Sequence, residues 1–273
     1  MAYGLRRGGW FFEPPNPLSI LELVNFGTVD LPLASFLWLL MERRASVIVA
    51  AGPSGVGKTT TLNVMMDFLR PEVKQVELQG DYEDFTFLKS ARPANTYMVA
   101  AEFGSHGIYV WGEVAIKAFE LTSQGYALGG TIHARTAREV VEILHRYLGL
   151  PMSTIARIDA IVTLRVTGGR GYDAEPLRRI DTVSVVAPHN NGLSLVALAS
   201  LSSKGNGFDI ASADDLRTTL SQKLDIKDGD IAREMKEKEQ FLTRLMSEGK
   251  LSRDEVRKAI IEFYRSHPSL RAG

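Results

Sequence analysis

Residues 47–62 read VIVAAGPSGVGKTTTL. A short apolar run, Val47–Ala51, ends in Gly52-Pro53-Ser54-Gly55-Val56-Gly57-Lys58-Thr59, and a helix-forming stretch comes next. That is the GxxxxGK(S/T) pattern set between a strand and a helix. Few patterns constrain a fold more. The loop must join a core strand to a helix N-terminus, because its backbone N–H groups work only when the helix dipole lies behind them. Gly55 and Gly57 allow the tight turn. Successive N–H groups then face an anionic group, Lys58 supplies a positive charge to it, and the Thr59 hydroxyl can reach a divalent cation. Gly52 to Thr60 are therefore the expected cofactor-binding residues. The ligand class is a nucleoside triphosphate, ATP, with Mg²⁺.

The rest of the chain alternates in the same manner. Strand patterns fall at 73–78, 97–101, 108–111 and 127–132, with helical patterns at 58–69, 114–123 and 137–148 between them. Such alternation around a phosphate loop predicts an α/β fold with a mostly parallel sheet. Three further strands, at 158–166, 180–187 and 193–199, have no helices between them and predict a small antiparallel extension. Upstream, Leu33–Arg43 is apolar all round and predicts a helix buried on more than one side, with Pro32 in its first turn. Downstream, the 200–211 stretch reads as a loop. Apolar stripes through Ile231, Met235, Leu242 and Leu245, and through Val256, Ile260, Phe263 and Tyr264, predict a helical hairpin with Gly249 at its turn. The chain thus divides into an extended arm at 1–17 containing Trp10-Phe11-Phe12, a core at 18–200, and a linker with helices at 201–273.

Composition narrows the partners. Lys and Arg together number 32, as do Asp and Glu, so the formal net charge is zero. A broad nucleic-acid footprint needs a basic excess that this chain lacks, and self-association meets no global repulsion. There is no cysteine, so disulfides and thiolate metal sites are excluded. No run of 18 apolar residues marks a membrane span.

Phosphoryl transfer needs a carboxylate near the metal and a group that orients water. The apolar run at 108–111 leads into Gly112-Glu113, which places Glu113 in reach of Mg²⁺ or its water. Gly80-Asp81-Tyr82-Glu83-Asp84 comes after another strand and offers three carboxylates, with Glu83 as the candidate water activator. Thr131-Ile132-His133 ends a third strand and puts His133 where an imidazole can sense a γ-phosphate. Arg135 and Arg138 stand nearby, for phosphates or for a neighbouring subunit's nucleotide. Each of these residues also has a plain structural reading, as a helix-start glutamate, a solvated acidic loop or surface charges.

Together, residues 19–63 (SILELVNFGTVDLPLASFLWLLMERRASVIVAAGPSGVGKTTTLN), the Gly-Glu of YVWGEV (109–114), QGYALGGTIHARTAREVVEIL (124–144) and the tail at 237–264 resemble the ATPase superfamily of type II and type IV secretion systems, most of all its archaeal and tight-adherence-type branch. The resemblance implies a RecA-like core, ATP hydrolysis and a homo-oligomeric ring such as a hexamer, or a hetero-assembly with a fuller motor subunit. It implies a membrane platform protein as partner, at the cytoplasmic face of the cell membrane. It places Lys58 and Thr59 on phosphate and Mg²⁺, Glu83 at the acidic-box glutamate, Glu113 at the Walker B glutamate and His133 at the histidine box. Departures exist. Gln79-Gly80 stand where the box usually opens with an acidic pair, Arg92 is the only arginine between box and Walker B, and Val114-Ala115-Ile116 succeeds Glu113 without an arginine. The family's N-terminal domain has no counterpart in residues 1–17. Two readings therefore remain open: an active pilus or secretion motor, and a nucleotide-binding paralogue that hydrolyses poorly. A small P-loop kinase would need an acceptor site and a lid, and no segment supplies either.

Overall fold

The computed structural model describes residues 16–105, 109–168, 176–189, 192–203, 207–224 and 231–267. The aromatic arm expected before residue 16 lies outside them.

Ser19 opens the described fold with a complete capping box. Its hydroxyl accepts from the Glu22 N–H at 3.1 Å while the Glu22 carboxylate accepts from the Ser19 N–H, starting α1 (Ile20–Asn25). Asp30 caps α2 (Leu31–Glu42), with Pro32 in the first turn as the sequence requires. Next is β1 (Val47–Ala51), buried at every position, the pattern of a strand covered on both faces. The loop leads into α3 (Lys58–Met66), which ends earlier than the expected 69.

Then come β2 (Lys74–Glu77), β3 (Thr96–Phe103), α4 (Gly112–Leu121), β4 (Ala127–His133), α5 (Ala137–Glu142), α6 (Met152–Ile155) and β5 (Ala160–Thr167). β6 (Leu177–His189), β7 (Gly192–Leu201) and β8 (Phe208–Ile210) form the extension, and α7 (Ala213–Leu224), α8 (Ile231–Ser247) and α9 (Arg253–Ser266) complete the order. The eight strands run β2-β3-β4-β1-β5-β6-β7-β8 in one sheet. Pairing is parallel from β2 to β5 and antiparallel from β5 to β8. The loop-bearing strand thus lies between β4 and β5, with β3 one place further out. This is the α/β arrangement expected for the core, a mostly parallel sheet with an antiparallel extension.

Three expectations need correction. Of the strand expected at 108–111, residue 108 lies outside the described set, and the described part, 109–111, is not a strand: Val110 makes a single bridge to Phe103. The strand of that unit is β3, whose alternation sends Tyr97 and Val99 into one core and Met98 and Ala100 into the other. The helix expected at 137–148 changes character, since α5 gives way to a π-helical turn over Ile143–Tyr147. The 200–211 stretch is not all loop, because β8 pairs with β7 through Ala199, Ser200 and Leu201. Short polar strands and single inserted residues leave no periodic trace to read.

The tail packs on α2. Trp38 stacks on Phe68 with centroids 5.1 Å apart and meets Phe241, Phe263 and Tyr264 edge-on. Its indole N–H donates to the Tyr264 hydroxyl at 2.7 Å, which donates to the Phe68 carbonyl at 2.6 Å. A buried charge cluster lies alongside. Glu42 meets Arg70 at 2.7 Å and Lys238 at 2.8 Å, and Glu234 meets Arg43 at 2.8 Å. Taking one member from a buried, paired set strands the others in low dielectric. Lys238→Ala is therefore expected to lower unfolding free energy by about 3 kcal/mol in urea titrations. Arg165→Ala, which breaks the half-exposed pair to Asp181, is expected to cost less than ~1 kcal/mol.

Candidate phosphate-binding site

The site is assembled at the carboxyl ends of β1, β3 and β4. Gly57 is the N-cap of α3, with φ +102°, and no side chain caps the helix. The free N–H groups of the first turn are left facing the loop's interior, as an anion site requires. Thr59 and Thr60 occupy that first turn. Pro53, Ser54 and Gly55 stand at the rim, and Val56 is buried beneath it.

Lys58 is buried as well. Its ammonium lies 3.6 Å from Glu102 Oε2 and 3.1 Å from His133 Nε2. His133 Nδ1 is 3.0 Å from the Gly52 carbonyl, which can only accept, so Nδ1 carries the hydrogen. In the neutral ring Nε2 then accepts from Lys58, and the ammonium bridges the imidazole to the carboxylate, whose Oε1 is 3.3 Å from Nε2. Burial lowers the Lys58 pKa, and the Glu102 carboxylate works against that shift.

The position of Glu102 depends on a one-residue bulge. Ala100 of β3 pairs with Gly130 of β4, but Phe103 pairs with Ile132, so Ala101 and Glu102 stand opposite Thr131 alone. The Thr131 hydroxyl donates to the Ala101 carbonyl at 2.6 Å and holds the bulge. Strict alternation would put Glu102 on the face of Met98 and Ala100. The extra residue sends Phe103 there instead, and the carboxylate turns toward Lys58. Gly130 makes room, since a Cβ there would overlap the Phe103 ring.

Two arginines contact the loop, one at its start and one at its middle. The Arg135 stem lies over Gly52, where an added Cβ would come within 2.7 Å of its Cγ. Arg178 Nε donates to the Gly55 carbonyl at 2.9 Å. Beside the loop is an open cavity of about 620 Å³, bordered by Phe26, Thr28, Gly57, Thr60, Leu177 and Arg178.

The structure brings together His133, Lys58 and the loop, and shows the two other predicted acids in contacts of their own. Glu83 closes its own turn: its carboxylate accepts from the N–H groups of Gln79 at 3.0 Å and Phe85 at 2.7 Å. Glu113 starts α4 and lines a surface cleft with Ile116, Lys117 and Glu120, a cleft that contains no residue of the phosphate loop. The carboxylate beside Lys58 is Glu102, which sequence reasoning missed. Its signal was present, as an acid ending an apolar alternating strand, but the same rule was applied to the 108–111 run. Arg178 was missed because β6 begins three residues before the expected strand. Among the described residues, no group of three or more His, Asp or Glu could hold a metal unaided. No helix among them is long and apolar enough to cross a membrane.

A loop of this form at the carboxyl edge of a parallel sheet, backed by a helix N-terminus and faced by an acid from β3, defines a P-loop α/β protein. No protein-family model matches the chain. It is similar to an uncharacterized protein of Methanocaldococcus jannaschii, MJ1287, with 23% identity over 277 residues, covering 90% of this chain and 98% of that protein. A second protein of that organism, MJ0900, is 26% identical over 151 residues, 47% of this chain and 26% of its own length. Among solved structures, the VirB11 ATPase of the Brucella suis type IV secretion system aligns with TM-score 0.39 and 20% identity over 60% of this chain and 54% of that one. The pilus retraction motor PilT aligns with TM-score 0.39 and 15% identity over 78% and 59%. The Legionella pneumophila ATPase DotB aligns with TM-score 0.39 and 13% identity over 90% and 66%. The chain thus spans between half and two-thirds of each of those solved chains.

The geometry yields two measurable expectations. Gly130→Ala forces the Phe103 ring off β4 and is expected to cost about 1–3 kcal/mol in unfolding free energy. In Glu102→Gln, the Lys58 ammonium loses the carboxylate that favours its charged form and is expected to titrate at lower pH than in the native chain. NMR of isotopically methylated lysines, assigned with Lys58→Arg, reads that shift.

Proposed function

We propose that this chain binds ATP with Mg²⁺ and hydrolyses it as a subunit of a type II/IV secretion or type IV pilus-like motor. The observation that carries the reading is the contact of Lys58 with both Glu102 and His133 at the mouth of the loop. The loop residues Gly52 to Thr60 hold the phosphates. Lys58 draws charge from the β- and γ-phosphates, and the Thr59 hydroxyl faces the cation. Bound Mg²⁺ supplies neutralisation of the phosphate charge. Glu102 takes the carboxylate role near the cation and orients water, His133 reads the γ-phosphate end, and the cavity beside Phe26 takes the nucleoside. The quoted sequence stretches support the motor assignment. They also support a ring of copies, a membrane platform partner and a place at the cytoplasmic face of the membrane, and the balanced charge supports a cycle without direct nucleic-acid binding.

One observation favours a second reading, a nucleotide-binding paralogue with poor hydrolysis. Glu83, the resemblance's water activator, has both oxygens committed to its own turn. ATP binding and turnover by the native chain and by Lys58→Ala, Glu102→Gln, Glu83→Gln and Glu113→Gln separate the two. The expected pattern is loss of binding in Lys58→Ala and retained binding with about a hundredfold slower turnover in Glu102→Gln. Glu113→Gln is expected to turn over at the native rate. Background turnover in a native chain that still binds ATP would favour the paralogue, and absence of ATP binding would sink both readings.

A further inference from the structure

Tyr82 is the most exposed of the large apolar side chains among the described residues, at 83%. It projects from the turn after β2, between Asp81 and Asp84. Asp81 has no hydrogen bond or ion pair among the described residues, so its charge is free for another molecule. Elsewhere on the molecule is a pocket of about 530 Å³ between the π-helical turn and the β6–β7 hairpin. Its apolar wall is Val141, Met152, Leu193 and Leu195. Its rim carries Arg138 and Arg146, with His145 and His189, against the single carboxylate of Glu142. Neither arginine has an ion-pair partner among the described residues. In a chain of zero net charge, an acidic aromatic knob and a basic, apolar-walled pocket are complementary features.

One copy cannot join them. β2 is an edge strand and β6 is five places along the sheet, a separation of roughly 24 Å at ordinary strand spacing. We propose that the 81–84 turn of one copy seats Tyr82 in this pocket of a second copy, with Asp81 and Asp84 facing Arg138 and Arg146. The contact uses different surfaces on the two copies, so it is head-to-tail and leaves a free knob and a free pocket for the next copy. Repetition closes a ring if the rotation permits. The π-helical turn has a part in this, because it displaces His145 and Arg146 from the positions an uninterrupted helix would give them. The inference rests on the reading of the chain as one subunit of an assembly of its own copies.

Sedimentation velocity over a wide concentration range, without nucleotide, tests it. The native chain is expected to self-associate. Asp81→Arg and Arg146→Glu are each expected to weaken self-association by about tenfold or more, and Tyr82→Ala likewise, with Tyr82→Phe restoring it. An equimolar mixture of the Asp81→Arg and Arg146→Glu chains is expected to associate where each alone does not, since the reversed charges again match. Melting temperatures within the native range show that these surface variants fold. A native chain that stays monomeric overturns both the contact and the assembly. Native self-association that all four variants share unchanged overturns this contact and leaves the assembly standing. Weakened association in the single variants with no rescue in the mixture overturns the head-to-tail pairing.

Discussion

A lysine ammonium buried at the end of a central strand is costly unless anionic or lone-pair partners surround it. Lys58 has both kinds, a carboxylate from β3 and an imidazole from β4, and the strand order brings both to it. β4 lies directly beside β1, which brings His133 level with the start of the loop, where Ala51 pairs with His133. β3 is one strand further away, and only an acid turned out of the regular pleat closes that distance. The parallel arrangement can thus be read as the means of bringing three chain segments to one charge.

The surrounding architecture keeps that meeting point still. α2 is buried from Leu33 to Glu42 and fills the side of the sheet behind the loop. Such a helix needs cover, and the tail provides it through the Trp38 aromatic cluster and the Glu42–Lys238 pair. The burial of charge there is weak evidence of stability, but it is strong on placement. Glu42 meets Lys238 of α8 and Arg70 of the segment after α3, so one carboxylate ties both to α2. On the other face, α4, α5 and α6 cover Ile48, Met98 and Ile161 with an ordinary apolar core.

Much of this was legible in the chain. The loop, the mostly parallel sheet, the antiparallel extension and the apolar tail stripes all come from periodicities long enough to read. His133 was legible because it ends a strand in phase with the loop. Glu102 carried the same kind of signal, but the run Tyr97 to Ala101 is short and the louder apolar run at 108–111 also ends beside an acid. Two sites for one rule cannot be separated by period alone, and only the sheet order decides between them. The bulge and the π-helical turn were invisible for a related reason, since each is a single-residue slip inside an otherwise regular pattern. Arg178 reaches the loop only because β6 doubles back along β5, a tertiary fact with no local signature.

The bulge in β3 works as a frameshift in side-chain direction. Below it, Tyr97 to Ala100 alternate between the two cores; beyond it Phe103 rejoins one of them, and only the residues of the bulge are released from the alternation. Tyr97 to Ala100 govern folding, whereas Ala101 and Glu102 govern which group the strand end presents to a ligand. Removing Ala101 would leave Tyr97 to Ala100 and Phe103 on their present faces while shortening by one residue the strand end that carries the acid, so packing and presentation meet at one backbone position. A lineage carrying this strand could gain or lose its chemistry by a single-codon insertion or deletion while keeping its architecture, a route that no substitution in the loop itself provides.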